Sequence, residues 1–184
     1  LNQALGDSLT RTAAGTPIPA PTALVAPTPP PTSCGLSMWY PEDWVHEEEC
    51  GAEGGILIAA TSVEFVFGSL ETGAAMVVFS GPPEPGEPGP SLEYLWEELA
   101  SELWFGEIET SEPEYRTIGG QDGLIVTFEG TPEDSEVAAR GFVAMAKHEH
   151  WIYLFIGVSA LDDWPEYGPD LERMLDSVQF TGRR

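Results

Sequence analysis

Seven prolines at positions 17, 19, 21, 27, 29, 30 and 31 constrain this chain more than any other feature. Each fixes φ near −65° and removes a backbone donor, so neither a helix nor a central strand can run through them. Their neighbours over 12–32 are only Ala, Gly, Thr, Ile, Leu and Val. Such a stretch favours polyproline II and buries too little surface to offset the cost of ordering it. At about 3.1 Å per residue, residues 17–32 reach roughly 50 Å. Residues 1–33 therefore read as an N-terminal extension with a tether, and folding is left to one domain over 34–184. A domain of that length can build a substantial core.

Where the tether ends the cysteines begin. Cys34 and Cys50 are the only two, and they bracket "SMWYPEDWVHEEEC". Beside such a tether, a disulfide is the expected state of the pair, closing a loop worth about 3 kcal/mol by chain entropy. Two sulfurs alone do not make a metal site, and no C-x-x-C spacing marks a redox pair. The net charge is −24, from 31 acids against 7 basic residues, and no Lys or Arg stands between Arg11 and Arg116. Nucleic acid is excluded as a partner, since binding it requires a basic face; an anionic membrane surface is disfavoured for the same reason. No apolar run reaches about 18 residues, so no transmembrane helix is expected. The chain starts at Leu1; the expectation is a trimmed leader and an N-terminus held outside the cytoplasm by a lipid.

Beyond the tether the hydrophobic pattern is mostly of period two. Strands are expected at "LSMWY" (36–40), "GILIAA" (55–60), "SVEFVF" (62–67), "AAMVVF" (74–79), "LIVTFEG" (124–130), "VAARGFVAMAK" (137–147) and "WIYLFIGVSA" (151–160). Asp122-Gly123 is the expected tight turn within "GGQDG", and "HEH" the tip of a hairpin. Leu92, Leu95, Trp96, Leu99 and Leu103 recur at helical spacing after Ser91, a good N-cap, and define a helix over 92–104. A final helix carries Leu171, Met174, Leu175 and Val178 on one side, with Pro169 in its first turn. The fold class is α+β, an antiparallel sheet covered by helices.

This order of elements, with "YPEDW" opening the domain, "GLIVTFEG" in the middle and "DLERMLDSVQF" at the end, resembles the PsbP-like family. The likeness spans roughly residues 36–181. It implies an α/β/α sandwich of the kind found in an extrinsic photosystem II subunit and in bacterial secreted proteins and lipoproteins. It also implies a non-catalytic binding or assembly module on the outer side of a membrane. Photosynthesis does not follow, because one fold hosts many functions.

Three candidate sites stand out. Trp39, Trp44 and Trp164 are the candidate partner surface; alternatively Trp44 folds back on the sheet and the aromatic cluster simply begins the domain. His148, Glu149 and His150 are the candidate metal ligands, since alternate residues of a strand point the same way; a polar hairpin tip needs no metal to explain it, and that plainer reading is favoured. The acid runs at 47–49, 131–136 and 162–163 lack the Gly-punctuated spacing of a calcium loop. No cofactor is expected beyond weak Ca2+ or Zn2+ binding. No G-x-S-x-G, H-E-x-x-H or phosphate loop is present. The sequence reading is therefore a non-catalytic, extracytoplasmic, lipid-anchored binding or assembly module contacting a protein partner in the cell envelope. A divalent-metal or small-ligand-binding domain is the alternative, and an acid/base hydrolase the more distant one.

Overall fold

The computed structural model describes residues 34–62, 72–83, 91–103, 106–132 and 135–181. The proline tether, the strand expected at 62–67 beyond Ser62, and parts of the loops at 81–90 and 131–136 lie outside them. Ten strands and two helices are described: β1 Leu36–Ser37, β2 Val45–Gly51, β3 Gly54–Ala60, β4 Ala74–Gly81, α1 Leu92–Leu103, β5 Gly106–Thr110, β6 Glu114–Ile118, β7 Gln121–Pro132, β8 Ala139–His148, β9 Trp151–Ala160, α2 Trp164–Asp176 and β10 Gln179–Phe180. Apart from β1 and β10, the strands form one sheet ordered β2-β3-β4-β9-β8-β7, with every described pairing antiparallel. β5 and β6 share the far edge, β5 on the C-terminal half of β7 and β6 on its N-terminal half.

The central strands explain their own sequences. β8 is buried on both faces and β9 fully on one and partly on the other, which is why "GFVAMA" and "WIYLFI" run apolar without alternation. On one face α2 buries Leu171, Met174 and Leu175, with Val178 just beyond its end, against Met76, Val78, Ala144, Tyr153 and Phe155. On the other, α1 lays Leu92, Leu95, Trp96 and Leu99 over Leu124, Val126 and Met145. Leu171 and Leu175 are fully buried, and truncating either to Ala costs about 2–5 kcal/mol. The molecule is thus an antiparallel sheet between two helical layers.

Four expectations are corrected. The strand at 36–40 is only two residues long and pairs not with the main sheet but with β10, Leu36 opposite Phe180. Beyond it the Trp39 N–H donates to Ser177 Oγ at 2.8 Å, just past the end of α2, and so leaves the ladder. The "VHEEECG" segment is a strand that its three acids concealed; as the sheet's outer edge it exposes Glu47, Glu48 and Glu49 to water. The tight turn sits at Gly119-Gly120, with φ of 55° and 80°, and Ile118 opposite Gln121 closes it. Two consecutive positive-φ residues define the type I′ geometry, so the glycines take the turn while Asp122 and Gly123 extend β7. Finally, α2 begins at Trp164: Pro165 occupies its first turn, and Pro169 lies inside the helix.

Candidate functional site

The two cysteines are joined, Cys34 to Cys50, with Cα atoms 5.1 Å apart. The bridge fastens the start of the domain to edge strand β2. Within the loop it closes, the Trp44 N–H donates to the Pro41 carbonyl at 3.2 Å, and the indole is driven inward until only 7% is exposed. Its ring meets Tyr167 of α2 edge-on, at 6.2 Å and 72°. Burial and the Glu166 and Asp163 charges push the Tyr167 phenol up from its ordinary value. Tyr40 stacks on His46, 4.8 Å away and 7° from parallel, while His46 Nε2 is buried without a hydrogen-bond partner among the described residues.

The other two candidate tryptophans are half-buried and each lies beneath an arginine. The Arg173 guanidinium sits 3.8 Å from the Trp39 ring and that of Arg140 5.4 Å from the Trp164 ring. With Trp44 in the core, the three do not form one platform; what a partner can reach is Trp39 and Trp164, through their arginines.

The "HEH" tip is a tight turn in which His148 opposite Trp151 closes the hairpin. Glu149 takes φ 56°, an unusual cost for a non-glycine residue. The imidazoles have different neighbours: His148 stacks on Phe180 at 4.9 Å, and His150 tilts against Trp151 at 5.6 Å. Among the described residues no three His, Cys, Asp or Glu side chains come together as a metal group would require. Asp163, at the N-cap position of α2, caps nothing; its Oδ2 accepts the Gly73 N–H at 2.7 Å and ties the start of β4 to the helix.

A cavity of about 600 Å3 is lined by Glu107, Ile108, Glu109, Glu129, Gly130 and Leu161. Glu109 and Glu129 face each other across the β5–β7 pair, and Arg140 lies 3.6 Å from Glu129. All three carboxylates are exposed to water. A carboxyl serving as a general acid at neutral pH needs an apolar or like-charged setting that holds its proton, so this cavity lends no specific support to hydrolysis. Elsewhere Glu93 of α1 accepts the Tyr115 O–H of β6, which lowers the carboxylate and raises the phenol. Arg116 of β6 pairs with Asp176 at the end of α2.

One surface was hidden in the sequence because its strands read as uniformly buried. Residues paired across an antiparallel sheet share a face, so the register defines two apolar rows on the α1 side. One runs Ile56, Phe79, Leu154, Met145, Leu124 and the other Ile58, Val77, Ile156, Val143, Val126. At the β7–β8 end these rows are buried under α1. At the β3–β4 end Ile56, Ile58 and Val77 are half-buried and Phe79 is 42% exposed. Glu49 and Glu47 of β2 extend the same rows at the edge.

No protein-family model matches the chain, and no curated protein sequence does. Solved structures do. LpqN of Mycobacterium tuberculosis, described as involved in cell envelope biogenesis, superposes with a TM-score of 0.58 at 11% identity, over 79% of this chain and 83% of its own. The cyanobacterial PsbP of Synechocystis gives 0.53 at 14% identity, over 81% and 88%. A protein of unknown function from Pseudomonas aeruginosa gives 0.50 at 11%, over 77% and 94%. At such identities the likeness concerns architecture, and on that ground the chain has the PsbP-like fold.

Proposed function

We propose that this protein is a non-catalytic module that works outside the cytoplasm, held through its N-terminal tether by a lipid, and contacts a partner protein of the cell envelope. The disulfide carries the reading. Cys34 is buried and bonded to Cys50 where the tether meets the domain, and such structural bridges persist in oxidising compartments. The likeness to LpqN supports an envelope setting. The long proline stretch gives reach of the kind a tether needs.

Fractionation of the native cell followed by thiol alkylation tests this. The reading expects the protein in the envelope fraction, open to protease in intact cells, with neither thiol alkylated until reductant is added. A cytosolic protein with both thiols free overturns it.

A further inference from the structure

The two apolar rows are not covered along their whole length by the helix that packs on them. They cross the sheet from β3 to β7, but α1 covers only the β7–β8 end, where Leu124, Val126, Val143 and Met145 are buried. The rest of the same rows (Leu154, Ile156, Val77, Ile56 and Ile58) is only partly buried, and Phe79 among them is 42% exposed. Strands lie about 4.8 Å apart and packed helices about 8–10 Å apart, so one further helix beside α1 would fall two strands away, over β4. The exposed part of the rows has the width of one helix.

Charge defines that helix. Glu47 and Glu49 are exposed at the β2 margin of the rows, on the same face as Ile58 and Ile56. On the other margin stands α1. Its Glu93 accepts the Tyr115 O–H of β6, which marks the flank of α1 turned to the far edge of the sheet. The strip is apolar along its floor and carboxylate-bearing along its β2 margin, on a chain of net charge −24. A second copy of this chain would bring the same charge and be repelled.

We infer that the β3–β4 end of this face binds an amphipathic helix of another protein, with an apolar stripe set on Phe79, Val77, Ile56 and Ile58 and Lys or Arg on one flank reaching Glu47 and Glu49. This is a helix-in-groove mode of recognition. It rests on the reading of the protein as a protein-binding module and adds the surface and the chemistry of the partner.

The test uses the full chain and a synthetic Leu/Lys peptide of about 14 residues, four helical turns, with its leucines on one face. An isomer of the same composition with the leucines scattered is the control. Fluorescence anisotropy should show the amphipathic peptide binding about ten-fold more tightly than the isomer, with Phe79→Ser removing that advantage. Glu47→Gln with Glu49→Gln should flatten the salt dependence. Equal binding of the two peptides overturns the proposal, because it reveals only diffuse attraction to an acidic chain; this arm needs no variant. If the thiol of Phe79→Cys is alkylated as slowly as a buried one, the face is closed by this chain's own residues, such as 63–71 or 84–90, and the proposal fails. A dimer that Phe79→Ser dissolves also overturns it, since the occupant is then a second copy. An envelope partner whose contacts map to Trp39 and Trp164 would sink this inference while sparing the function proposed above. Specific peptide binding by a protein found in the cytosol would do the reverse.

Discussion

Replacing Asp163 with Ala tests how the start of β4 is tied to the start of α2. Asp163 Oδ2 accepts the N–H of Gly73, which is buried and has φ 99°. With the carboxylate gone, this donor has no acceptor in place, and an unsatisfied buried group costs about 1–3 kcal/mol. At about 2–4 °C per kcal/mol for a chain of this size, a loss of roughly 2 kcal/mol lowers the unfolding midpoint by about 4–8 °C. Asp163→Asn keeps an acceptor oxygen in the same place, so it should fall by under about half as much. The assay is thermal unfolding by circular dichroism, paired with amide hydrogen exchange. In Asp163→Ala the Gly73 amide should exchange faster, while those of Glu166 and Tyr167, in the first turns of α2, are unaffected. If the Ala variant unfolds where the wild type does, or if the helix amides are deprotected and Gly73 is not, the reasoning is wrong and Asp163 is a helix cap after all.

Reducing the Cys34–Cys50 bridge releases a loop with a sequence separation of 16, worth about 3 kcal/mol by loop entropy; reductant should lower the midpoint by about 6–12 °C, and an unchanged melt would show the bridge to be idle. Gly119→Ala should destabilise more than Gly120→Ala, because both sit at positive φ but only at Gly119 would a Cβ come 2.7 Å from the Phe180 ring; chemical denaturation of the two variants checks the order. The Glu93–Tyr115 contact holds the phenol above its ordinary value. Its stabilising effect is therefore full below about pH 10, down to the acid range in which Glu93 is protonated, and is lost as pH rises through the raised value. Tyr115→Phe should remove that alkaline component from a plot of stability against pH, and an identical plot for the variant would contradict the contact. Millimolar Ca2+, Zn2+ and Mn2+ at matched ionic strength should raise the midpoint equally and slightly by relieving self-repulsion; a rise with one ion that His148→Ala abolishes would establish a metal site at the hairpin tip.

The elements legible in the sequence were those whose burial is symmetric or periodic. β9 spans the ten residues that its apolar run marks, and α1 and α2 turn the stripes inward that their spacing defines. What escaped was decided by contacts distant in sequence. β2 carries three consecutive acids because it is an edge, and nothing local says that "VHEEECG" pairs with "GGILIAA". Leu36 and Ser37 find their partners at Phe180 and Gln179, across nearly the whole domain. The turn at Gly119-Gly120 competed with an equally plausible Asp-Gly, and the register of β6 on β7 chose between them. Of the candidate site residues, Trp44 has gone to the core, and Trp39 and Trp164 lie under arginines that sequence spacing could not bring to them. The open rows escaped for the opposite reason. "GILIAA" and "AAMVVF" look equally buried along their length, and only the position of α1, over β7 and β8, leaves the same face of these two strands less covered.

The most direct test of the account is a photo-cross-linking residue placed at position 79 of the full chain and irradiated in the native cell. The account predicts a discrete adduct with another envelope protein, its cross-linked peptide an amphipathic helix with a basic flank. Adducts formed only with this chain itself, or none at all where a residue on α2 cross-links readily, would contradict it.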